Sequence, residues 1–156
     1  MISCYLLSAL TFLMLLLAFF QYTCQFLIFK ANDVAFMILT SIVYLFTETL
    51  VIFFFVGTGV SIREYTQEHH LPHQFHQKSI AIKRMVYPPL LFNMLLMIIL
   101  FVLIGAVDTG KIPSWSYQLY FLVCLGHFCY AKFIQHQAFR ENTFNVLAMA
   151  GVQGTT

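Results

Sequence analysis

The sequence predicts an all-α integral membrane protein: four transmembrane helices in two helical hairpins, with one polar cytoplasmic loop that contains short helical pieces. Three observations lead there. Apolar residues make up 60% of the chain and charged residues 9%, against about 25% charged in a typical soluble domain. Four apolar runs each reach roughly the 20 residues that a helix needs to cross a hydrocarbon core of about 30 Å. Polar and basic residues, by contrast, collect in one stretch between the second and third runs. The 156 residues read as a single membrane domain, 1–156, with no room for a separate soluble catalytic domain.

The first span, about 5–29, has no basic flank before it, and Ala18-Phe19-Phe20 lacks a small-x-small cleavage pattern, so it reads as a retained helix and not a leader. Its polar end (Gln21, Thr23, Gln25, Lys30) approaches one membrane face. Lys30-Ala31-Asn32-Asp33 links it to the second span, about 34–57, with Asp33 as the expected N-cap. Gly57-Thr58-Gly59 is expected to stop that helix, and Ser61-x-x-Glu64 to open a short new one as a capping box. The G-x-G follows an apolar span and not a strand, so it reads as helix termination and not a phosphate cradle.

Residues 58–87 form the polar loop and hold four of the six histidines and four of the eight Lys and Arg residues. Pro72 divides it, and 79–85 is expected to lie at the interface with Ile80 and Ile82 inward. Pro88 and Pro89 fit the first turn of the third span, about 88–107. Asp108-Thr109-Gly110-Lys111-Ile112-Pro113 is a turn by composition. The fourth span, about 116–138, follows Trp115, with Tyr117 and Tyr120 placed as interfacial aromatics. Beyond Arg140 the tail is short, and 151–156 is expected to fray.

Orientation follows the basic residues. Lys30 and Lys111 fall on one side, and Arg63, Lys78, Lys83, Arg84, Lys132 and Arg140 on the other. The positive-inside rule then puts both termini and the histidine-rich loop in the cytoplasm. A bacterial inner membrane is the expected location, an organelle-encoded subunit the alternative. The net charge of +2 is too small to suggest nucleic acid as a partner; membrane lipids and other membrane subunits are the expected ones. Cys4, Cys24, Cys124 and Cys129 show no C-x-x-C spacing and read as small hydrophobes.

Three groups of residues could carry chemistry. The first is an intramembrane polar cluster, Glu48, Asn93 and His127. Counted from the cytoplasmic ends at about 1.5 Å per residue, Asn93 lies about 8 Å deep, Glu48 about 14 Å and His127 about 16 Å, so the three could meet. An acid in such a run must be neutral, paired or turned to the protein interior. The cluster could serve as interhelical polar glue, or as a quinone, haem or proton site. Haem needs a second axial ligand, and His136, nine residues from His127, falls on the opposite face of the same helix. The second group is His69, His70, His73 and His76, with Glu64 and Glu68 before them, which could offer metal ligands or a solvated, pH-sensitive surface. The third comprises Lys78, Lys83 and Arg84, suited to anionic headgroups, with Trp115 as an interface anchor.

No nucleophile with its base and no G-x-x-x-x-G-K motif is present. The leading expectation is therefore a small integral membrane subunit with a structural or accessory role in a larger membrane complex. The alternatives are a redox or transport component built on Glu48 and His127, and a metal-binding protein using the 69–76 segment.

Overall fold

The computed structural model describes residues 1–24 and 32–151, which form four helices: α1 (Ile2–Cys24), α2 (Asp33–Glu68), α3 (Gln74–Asp108) and α4 (Ser114–Met149). Each packs on its neighbour in chain order, and α4 closes back on α1 along a much looser seam. Of the four, α1, α2 and α3 are long and apolar enough to cross a membrane.

The main departure from the sequence expectation is the polar segment 58–87. It is not a loop with short helical pieces: α2 runs on to Glu68, α3 begins at Gln74, and the chain reverses over only five residues. Periodicity explains why. The buried stripe of α2 continues without a break through Val51, Phe55, Gly59, Ile62 and Thr66, and that of α3 through Ser79, Ile82, Val86 and Leu90. A packed stripe at three- and four-residue spacing outweighs the local helix-stopping tendency of Gly57 and Gly59. Ser61 accordingly makes no capping box; its Oγ donates to the Gly57 carbonyl one turn back. Pro88 and Pro89 lie inside α3 and not in its first turn. The fourth helix also outlasts its expected end at 138, because the heptad Tyr117, Phe121, Cys124, Phe128, Ala131, Gln135, Ala138, Asn142, Asn145 stays buried along its whole length.

The N-cap of α2 is Asn32, whose Oδ1 accepts from the Ala35 amide at 2.8 Å. Asp33, the residue expected to cap, instead accepts from Gln21 Nε2 of α1 at 3.0 Å. The Asp108–Pro113 reversal is a turn as expected, with Gly110 at φ 69° and Pro113 preceding α4. The predicted end of the first span (25–29), the Lys30-Ala31 part of its link and the tail beyond Gly151 lie outside the described residues.

Two apolar clusters fill the bundle. One gathers Leu15, Met37, Tyr44, Leu100, Phe121 and Phe128, and the other Val51, Phe55, Val86, Leu90 and Phe139. The residues between them in sequence on α2, α3 and α4, Glu48, Asn93, Lys132 and Gln135, form a polar layer.

Candidate functional site

Glu48 is fully buried on α2, and the structure joins it to two other helices. Lys132 of α4 brings its Nζ to 2.9 Å from Glu48 Oε1, and Asn93 of α3 donates from Nδ2 to the same oxygen at 3.2 Å. Asn93 Oδ1 lies 2.7 Å from His127 Nδ1. Lys132 also donates to Gln135 Oε1 at 2.8 Å, and its ammonium sits 4.9 Å from the centroid of the Phe128 ring. Around this layer, Thr11 of α1 meets Thr47 at 2.9 Å, and Tyr44 lies one turn from Glu48. Among the described residues, Glu48 Oε2 has no hydrogen-bond partner.

The structure thus brings Glu48 and Asn93 into direct contact, and His127 joins at one remove through Asn93. The residue that sequence reasoning missed is Lys132, which was counted as a charge at the cytoplasmic edge of the fourth span. It lies within the bundle because α4 continues well past it, and its long side chain reaches diagonally across to α2. A detectable signal was present. An acid in an apolar run calls for a basic counterpart, and of the Lys and Arg residues Lys132 is set most deeply in any of the four runs.

The arrangement pairs the two charges in a low-dielectric interior and leaves one Glu48 oxygen, Oε2, without a hydrogen bond among the described residues. His127 is half-buried, with its ring packed edge-on against Phe92 and near Tyr130. His136 instead bonds Tyr5 of α1 through Nδ1 at 2.9 Å. The two histidines of α4 therefore serve different sides of that helix, and they do not form an axial pair for haem.

The remaining sequence candidates lie apart from this centre. His69 and His70 are exposed beyond the end of α2, and His73 and His76 flank the start of α3. His69 packs its ring on Tyr65. Among the described residues, no three His, Cys, Asp or Glu side chains are grouped to hold a metal ion. Lys78 and Arg84 are exposed on α3. Lys83 folds inward, and its ammonium fills the notch left by the missing Cβ of Gly59. Trp115 is exposed at the opposite end of the bundle, at the start of α4.

No protein-family model matches the chain, and comparisons with curated proteins and with solved structures return no significant match.

Proposed function

We propose that the chain is a four-span integral membrane protein, α4 being the fourth span, and that it serves as an accessory subunit of a larger membrane complex. The observation that carries this reading is the length of the helices beyond their apolar parts. At about 1.5 Å per residue, α2, α3 and α4 are each more than 50 Å long, against an apolar core of about 30 Å. The excess gathers at one end as a packed three-helix projection. Ile62, Thr66, Ser79, Ile82, Asn142 and Asn145 are buried within it, and Asn145 Nδ2 donates to the Phe75 carbonyl across α4 and α3 at 3.0 Å.

A rigid projection is suited to docking. Its outer surface carries Arg63, Glu64, Glu68, Lys78, Arg84 and Glu141, all exposed, so it offers both signs of charge to a partner subunit. Arg84 at its base also favours anionic headgroups, with Lys78 further out along α3, and Trp115 anchors the opposite interface. By the positive-inside rule the projection and both termini are cytoplasmic, and a bacterial inner membrane is the proposed setting. The Glu48–Lys132 layer in this reading fixes the register of the spans.

Gentle purification of the tagged protein from native membranes tests the proposal. A partner should co-purify, and reversing Arg63, Lys78 and Arg84 to Glu should release it while the bundle stays folded. A wild-type protein that runs as a lone monomer in mild detergent, with nothing co-purifying, would overturn it.

A further inference from the structure

The loose seam between α1 and α4 leaves a cavity of about 370 Å³, lined by Tyr5, Ser8 and Phe12 from one side and Phe128, Lys132 and Gln135 from the other. That is within the range of small-molecule sites, roughly 300–1,000 Å³. Tyr5 and Phe12 are each more than a third exposed, so the cavity opens on the outside of the bundle. It goes beyond the accessory role proposed above and rests on the reading of the chain as membrane-embedded, since its mouth then faces the bilayer.

Three of its polar side chains, Ser8, Lys132 and Gln135, each have an N–H or O–H free to donate. Lys132 uses two of its three N–H groups on Glu48 and Gln135 and keeps the third. Gln135 accepts from Lys132 through Oε1, which leaves its NH₂ group to donate. The Ser8 hydroxyl is buried and has no hydrogen-bond partner, a state that a native fold seldom leaves without a ligand or water. Phe12 of α1 and Phe128 of α4 stack on each other across the seam, with 8° between their planes, and bound the cavity with aromatic, apolar surface.

We infer that this cavity binds the planar, carbonyl-bearing head of a membrane-dissolved quinone-class molecule. Donors from both α1 and α4 call for acceptor oxygens, and the aromatic boundary suits a flat, apolar head. Charge decides between a carbonyl and a carboxylate. Glu48 already compensates the Lys132 ammonium, so a second carboxylate would bring an uncompensated negative charge into the low-dielectric interior, whereas a neutral carbonyl takes the free N–H at no such cost.

The test is equilibrium binding of decylubiquinone to the purified full chain in lipid nanodiscs, with decanoate as the competing carboxylate. The expected result is saturable binding of one quinone per chain that excess decanoate does not displace. Ser8→Ala should weaken binding severalfold. Ala9→Phe, which fills the cavity without touching the charge pair, should weaken it at least tenfold, with circular dichroism confirming that each variant remains helical. Absence of saturable binding, unchanged binding in Ala9→Phe, or displacement by excess decanoate would each overturn the inference. None of these outcomes bears on whether a partner subunit co-purifies, so the two proposals fail separately.

Discussion

Lys132 Nζ lies 2.9 Å from Glu48 Oε1 and ties α4 to α2 across the diagonal of the bundle, between two apolar clusters. Removing one member of a buried pair strands the other charge, which typically costs about 3–5 kcal/mol, whereas replacing both with apolar residues is often neutral. Lys132→Met and Glu48→Leu should therefore each lower stability by that order in detergent-solubilised protein, and the double substitution should recover most of the loss. Unfolding curves for the four proteins measure this, and strictly additive losses would show that the two side chains are not energetically coupled.

Asn93 serves two partners at once, donating to Glu48 and meeting His127. Asn93→Leu should cost about 1–3 kcal/mol, the usual range when a buried group loses its hydrogen-bond partner. His127→Phe should cost less, because that ring is only half-buried and already packs among aromatic side chains. A larger loss at His127 than at Asn93 would reverse the order in which the network depends on them.

Gly57 tests the continuity of α2. It is exposed in a helix interior, and an added Cβ meets nothing. Gly57→Ala should stabilise the protein by about 0.5–1 kcal/mol, and a destabilisation would indicate a helix stop at that point. Gly59→Ala should gain less, because its Cβ would run into the Lys83 ammonium, which must swing away.

Burial also pushes the Lys83 amine below its usual pKa. The folded state then holds the proton less well than the unfolded one, so this position costs stability at neutral pH. The cost is relieved as pH rises through the folded value towards 10.5. Lys83→Met should bring a small stability gain at pH 7 that shrinks on approach to pH 10.5, measured by melting temperature across that range.

The reversal between α2 and α3 places His70 at φ 50°, a left-handed conformation. His70→Gly should preserve or raise the melting temperature, while His70→Val should lower it, since a β-branched residue is strained there.

The apolar runs, the 108–113 turn and the meeting of Glu48 with Asn93 were all legible in the sequence, because each follows from composition or from counting along a helix. The extension of α2, α3 and α4 was not, although for α4 the signal lay in the heptad from Tyr117 to Asn145. That heptad changes from aromatic to small and polar members at Ala131, so a hydrophobicity reading sees the span end where a periodicity reading sees the helix continue. Glycine and proline signals at 57, 59, 88 and 89 pointed the same wrong way, since their local preferences are worth about 1 to 3 kcal/mol and tertiary packing exceeds that. Lys132 was missed for a different reason. Its position along the chain put it near an expected membrane edge, and only the reach of its side chain across the bundle gives it Glu48 as a partner.

From Lys132 to Met149, α4 contains neither glycine nor proline. With no kink-forming residue to absorb a twist, this half of the helix behaves as a stiff shaft about 26 Å long at 1.5 Å per residue. A rotation applied to its polar tip arrives at the Lys132 ammonium with its angle nearly intact. Any partner that grips the projection therefore holds a handle on the Glu48–Lys132 pair.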